Sequence, residues 1–157
     1  MKPSEAAQAL IGANRTPSPT LQEPMSTIAP IIDPESNPRV KAVFDDIRAT
    51  RQTEFINNLW RRLAFDPALL ETTWAEVKRV MAIPSAIDPL TKEMVYITAS
   101  IINGCSYCVH SHTAAAKAKG MTAQQHGELL AIVALAAKTN QIVTGLQVPL
   151  DAVFDLG

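Results

Sequence analysis

"SAIDPLTKEMVYITASIINGCSYCVHSH", Ser85 to His112, is the stretch from which the rest of the chain can be read. Asp88 offers a carboxylate to the unpaired amides of a helix start, and Pro89 suits the first helical position, where no N–H is needed and φ is already set. Leu90, Met94, Ile97 and Ile101 then recur every three or four residues, the apolar stripe of a helix packed on one side. Gly104 ends that helix, because glycine enters the left-handed conformation of a helix C-terminus without a Cβ clash. A second helix begins near Cys105, runs to Lys119 and closes at Gly120.

Outward from this pair the texture stays helical. "NPRVKAVFDDIRAT" spaces Val40, Val43, Phe44 and Ile47 at helical intervals, which predicts a helix from Pro38 to about Thr50. "FINNLWRRLAFD" sets Leu59, Trp60 and Leu63 on one side. Asp66-Pro67 repeats the start signal before "PALLETTWAEVKRVMA", and Thr122 caps "TAQQHGELLAIVALAAKTN". No segment alternates apolar and polar residues between turn signals, so strands are not supported. The expected fold is all-α, with about six helices. Their many alanines permit close helix packing over flat faces of the kind that continue into subunit interfaces.

Seven of the eleven prolines lie between Pro3 and Pro38. Proline removes a backbone donor and blocks helix interiors. Residues 1–36 are therefore expected to form an extended arm, followed by a helical domain over 37–157.

Composition narrows the function classes. A chain of 157 residues with 47% hydrophobic content can bury a core without disulfides or metal. A net charge of −1 without a basic run argues against nucleic acid or an anionic membrane as partner. The N-terminus lacks the apolar stretch and cleavage site of a secretory signal. "LLAIVALAA" is about half of what a bilayer span needs. The expectation is a soluble, cytoplasmic protein. In a reducing cytosol, a C-x-x-C pair is more often redox-active or metal-binding than structural.

Both cysteines and two of the three histidines fall between Asn103 and His112. On a helix beginning near Cys105, the residues Cys105, Cys108 and His112 share a face, while His110 points elsewhere. A helix start gathers unpaired N–H groups and the positive end of the macrodipole, which favours a thiolate, and a nearby imidazolium adds to the effect. These conditions fit a redox dithiol. A structural zinc site would need four ligands, and three lie on this face with no second cluster in the chain. A third reading makes both cysteines small buried hydrophobes.

Glu93 lies about 16 Å before Gly104 along one helix, and His112 about 12 Å beyond it along the next. An antiparallel fold at Asn103-Gly104 brings the two to similar depth. The carboxylate could then orient His112 and raise its basicity, as the third member of a triad does. The plainer alternative for Glu93 is an exposed acid paired with Lys92 or Lys117. Tyr107 is either a hydrogen-bonding group at the site or a packed amphipathic side chain. His126, Trp60 and Trp74 read as core or interface residues.

Glu93, Cys105, Cys108 and His112 fall in the order E-x11-C-x-x-C-x-x-x-H. This pattern resembles the signature of the alkyl hydroperoxide reductase D family, within the carboxymuconolactone decarboxylase-like superfamily. The similarity runs from about Phe55 to Lys138. Two positions depart from it: Tyr107 stands where better-known members carry histidine, and His110 is additional. The resemblance implies an all-α fold in homo-oligomers, often trimers or hexamers, and a thiol peroxidase with no cofactor and no metal. It implies that Cys108 attacks a hydroperoxide, that Cys105 resolves the sulfenic acid, and that Glu93 and His112 relay protons. It also implies a lipoyl-bearing or thioredoxin-like protein as electron donor. A trimer, hexamer or dimer is expected, with the arm lying across a neighbour. The alternatives are a carboxymuconolactone decarboxylase-like enzyme, from which the cysteine pair argues away, and a redox-sensing or zinc-binding interaction module.

Overall fold

The structure, a computed structural model, describes residues 26–155. The described residues contain no strand and six α-helices: α1 (Pro38–Arg51), α2 (Asn58–Leu63), α3 (Pro67–Val77), α4 (Pro89–Ile102), α5 (Ser106–Ala118) and α6 (Ala123–Leu146). Most of the expected arm, residues 1–25, lies outside the described residues, and with it any crossing onto a neighbour. Its end runs without regular structure to a single 3₁₀ turn, Pro34–Ser36. This end touches its own chain: the Arg62 guanidinium donates to the Ile28 carbonyl at 2.9 Å, and Arg48 pairs with Glu35 at 2.6 Å.

The helix starts follow the expected chemistry. Asp66 and Asp88 each accept from two backbone amides at their helix N-termini, with proline next in sequence. Thr122 and Gln125 form a reciprocal capping box. Both expected glycine stops take positive φ, 67° at Gly104 and 95° at Gly120. Around the first, Cys105 N–H reaches back to Ser100 O at 2.9 Å and Gly104 N–H to Ile101 O at 3.1 Å, the bond pair of a Schellman turn.

Two features differ from expectation. The helix of α3 does not continue as an α-helix to Ala82; Lys78–Ala82 is π-helical, and Ile83 N–H reaches Lys78 O at 3.2 Å. It stops at Ile83, which is extended because the following Pro84 excludes it from the helical region. In α2 only Trp60 is fully buried, while Leu59 is 42% exposed.

The interior forms two clusters rather than one. Helices α1 to α3 enclose Val40, Val43, Phe44, Ile47, Ile56, Trp60, Ala64, Leu70 and Trp74. Trp60 and Trp74 meet edge to face with centroids 5.4 Å apart. The second cluster, Ile97, Ala116, Met121 and Leu129, joins α4, α5 and the start of α6. The expected stripe on α4 is present, with Ile97 buried and Leu90, Met94 and Ile101 packed on this cluster. Large side chains buried this completely contribute roughly 1.5–3 kcal/mol each.

Helix α6 is the exception to inward packing. It is 24 residues long, and its buried residues are Leu129 and Val133. Leu130, Ile132, Leu135, Ile142, Val143 and Leu146 are exposed. The run "LLAIVALAA" is thus part of a helix long and apolar enough, by length and composition, to cross a membrane, where the sequence alone suggested a run too short.

Candidate active site

Helices α4 and α5 are the most extensively packed pair in the fold, and the Gly104 turn makes them antiparallel. That geometry sets Glu93, five residues after its cap, beside His112, four residues after Cys108. His112 Nδ1 lies 2.6 Å from Glu93 Oε2. With the carboxylate there, Nδ1 carries the proton and Nε2 keeps the lone pair that can accept one.

Glu93 is 6% exposed, an unusual place for a carboxylate. It is held by two partners, since its other oxygen accepts from Lys119 Nζ at 3.0 Å. Burial works against the charged form, but the hydrogen bonds and charges of His112 and Lys119 outweigh it and hold the carboxyl below its ordinary value. The sequence offered Lys92 and Lys117 as partners; the structure supplies Lys119 instead. The reason is the Gly120 turn, which leaves Lys119 at the C-cap of α5, two turns beyond His112 on the same face.

Tyr96 completes the setting of the imidazole. Its ring stacks on His112 with centroids 3.7 Å apart and planes 20° from parallel. Sequence reasoning passed over both Tyr96 and Lys119. The signals were present: Tyr96 follows Glu93 by three residues and Lys119 follows His112 by seven, both helical neighbours.

Cys105 is the N-cap of α5, and its sulfur accepts the Cys108 N–H at 3.3 Å. The two cysteines are joined by a disulfide with Cα atoms 5.3 Å apart. Their surroundings differ. Cys108, with His112 and Glu93, lines a cavity of about 560 Å³ at the seam between the two core clusters. Cys105 is not among its walls; it sits at the helix end. The other cluster contributes Trp60, Trp74, Val77 and Met81 to the same cavity.

The remaining candidates separate cleanly. His110 is exposed and its Nδ1 lies 2.8 Å from the Ser106 carbonyl, away from the Glu93–His112 pair. Tyr107 also lines the cavity, and its hydroxyl accepts the Leu59 N–H at 3.2 Å, tying α5 to α2. Trp60 and Trp74 are core residues that also wall the cavity. His126 is half-buried and takes no part. Among the described residues, no group of three His, Cys, Asp or Glu side chains is placed to hold a metal ion.

A family model, described as the carboxymuconolactone decarboxylase family, matches residues 67–151. This chain belongs to that family. Within the family it is AhpD-like: it is similar to the solved structure of the alkylhydroperoxidase AhpD core from Rhodospirillum rubrum ATCC 11170, with 57% identity and a TM-score of 0.82. The match covers 85% of this chain and 100% of that one. No curated protein matches the chain. All four residues of the signature read from the sequence lie inside the matched segment of this carboxymuconolactone decarboxylase family member.

Proposed function

We propose that this protein is a thiol peroxidase that reduces organic hydroperoxides through a Cys105–Cys108 dithiol cycle. The observation that carries the reading is the placement of Cys108 and His112 on one cavity, with Glu93 bonded to the far nitrogen of the imidazole. In the reduced protein, His112 Nε2 takes the Cys108 proton, and the thiolate attacks the outer peroxide oxygen. The O–O bond breaks, the departing alkoxide takes a proton from His112 and leaves as an alcohol, and Cys108 becomes a sulfenic acid. The Cys105 thiol then displaces that hydroxyl as water and forms the disulfide. A protein dithiol, lipoyl-bearing or thioredoxin-like, returns both cysteines to thiols and is itself oxidised.

The choice of attacker weighs two effects. The helix dipole favours a thiolate at Cys105, at the very start of α5. The imidazole one turn from Cys108, and the cavity into which Cys108 opens, favour Cys108. Substrate must reach the attacking sulfur, so access decides for Cys108. A lactone decarboxylase, the activity in the family's name, is the alternative, and the C-x-x-C pair argues against it.

The test follows thiol loss with an added hydroperoxide in reduced wild type, Cys105→Ser and Cys108→Ser. Cys108→Ser should be inert. Cys105→Ser should react once and stop, with a mass gain of one oxygen. The opposite pattern would reverse the roles, and no thiol loss with any hydroperoxide would remove the peroxidase reading.

A further inference from the structure

The cavity contains a cation that the relay does not use. Arg51 is the last residue of α1, and its guanidinium lies over two indole rings, 5.6 Å from the Trp60 centroid and 5.3 Å from that of Trp74. Arg39 and Arg48 are paired with Glu71 and Glu35, but Arg51 has no carboxylate partner among the described residues. The residue is exposed, while its guanidinium, seated over the two rings, is desolvated enough that its pKa is lowered from the ordinary value. It remains charged, as guanidinium groups in proteins do.

The charges around the cavity do not balance. Glu93 is its single carboxylate, and that carboxylate is already engaged by His112 and Lys119. Arg51 therefore feels Glu93 only through space, with no carboxylate bonded to its guanidinium, beside walls formed by Leu59, Val77, Met81 and Ala82. A neutral apolar molecule filling this space would strip water from the guanidinium and return nothing, which is unfavourable. An anion would replace that water with a charge-assisted bond. Guanidinium is a planar fork matched to a carboxylate, and the two rings beneath it hold the fork in place before the ligand arrives. The cavity, about 560 Å³, lies within the roughly 300–1,000 Å³ of small-molecule sites.

We propose that Arg51 is a specificity residue that binds the carboxylate of the substrate, so that the preferred substrate is an organic acid whose apolar body carries the hydroperoxide. The body lies against the tryptophans and Met81, and the peroxide reaches Cys108. This inference rests on the peroxidase reading for its chemistry, but the binding step can be read without it.

Trp60 and Trp74 are the only tryptophans of the chain, and both lie under Arg51, so intrinsic fluorescence reports cavity occupancy without turnover. The wild type, Arg51→Met and Arg51→Lys proteins are titrated with octanoate and with octanol. The wild type should bind the acid about 10 to 100-fold more tightly than the alcohol, the range of a charge-assisted hydrogen bond. Arg51→Met should lose that preference, and Arg51→Lys should keep part of it. In turnover, the ratio of kcat/KM for a carboxylate-bearing hydroperoxide over tert-butyl hydroperoxide should fall by the same factor in Arg51→Met, mainly through KM. Equal binding of acid and alcohol by the wild type overturns the proposal, as does a preference that survives Arg51→Met. An unmoved kcat/KM ratio also overturns it, including the case where both substrates slow alike, which would make Arg51 a support of the fold or of the thiol. A wild type that oxidises no thiol with either hydroperoxide ends the peroxidase reading, while the acid-over-alcohol preference still decides the role of Arg51.

Discussion

Glu93 does two jobs with its two oxygens, one toward His112 and one toward Lys119. Removing it leaves a half-buried imidazole and a lysine without their counter-charge, so Glu93→Gln and His112→Ala should each slow thiol oxidation by ~10² to 10⁴-fold. Stopped-flow loss of thiol measures this, with His110→Ala as a control expected to change little. The same pairing gives stability a pH dependence with a definite sign. The folded carboxyl titrates below its ordinary value of 4.5, so its contribution is fully present above that value and is lost as pH falls through the lower folded value. Melting temperature against pH should fall on the acid side of 4.5 in the wild type, and Glu93→Gln should flatten that limb. An unchanged limb in the variant would mean that other carboxylates carry it. At this scale helical spacing placed the two cysteines and His112 on one face, while Glu93 joined them through the Gly104 turn and the family resemblance. Arg51 was not legible, because it reaches the cavity from α1 through tertiary packing that no local pattern encodes.

At the scale of elements, the ends of helices were the most readable part of the chain. Asp66, Asp88, Thr122, Gly104 and Gly120 all act where their chemistry predicts. What escaped was the π-helical end of α3 and the outward turn of Leu59, the latter at a contact between elements. The tie from Tyr107 to the Leu59 amide is one such contact. Cap chemistry makes a prediction of its own. Asp88→Ala removes the acceptor for Leu90 N–H and Thr91 N–H, both at 3.0 Å, and should cost about 1 kcal/mol. Thermal unfolding reads the loss. Asp66→Ala, at the corresponding position of α3, should cost a similar amount while leaving thiol oxidation faster than in Asp88→Ala, since α4 and not α3 carries Glu93. Equal rates in the two variants would mean that the relay does not depend on how α4 begins.

Over the whole molecule, the feature out of balance is α6, about 36 Å long at 1.5 Å per residue, with most of its large apolar side chains turned outward. A second copy of the chain is the occupant that the resemblance implies, and closed symmetric assemblies are the common outcome for such faces. Ile132→Glu with Leu135→Glu should therefore lower the mass measured by light scattering for the full chain. A wild type that is already monomeric would exclude self-association through this face. The seam between the two core clusters has a further consequence, this time for how such a protein diversifies. Glu93, Cys105, Cys108, His112 and Lys119 are encoded within the segment matched by the family model, residues 67–151, whereas Arg51 and Trp60 precede it. The proposed carboxylate-binding residue and the proposed proton relay are thus encoded in separate passages of the gene and meet only in the folded chain, while Trp74 and Met81 of the cavity wall lie in the later passage. On the proposed reading, variation at Arg51 alters which molecules bind while the segment that carries the cysteine pair, Glu93 and His112 stays unchanged.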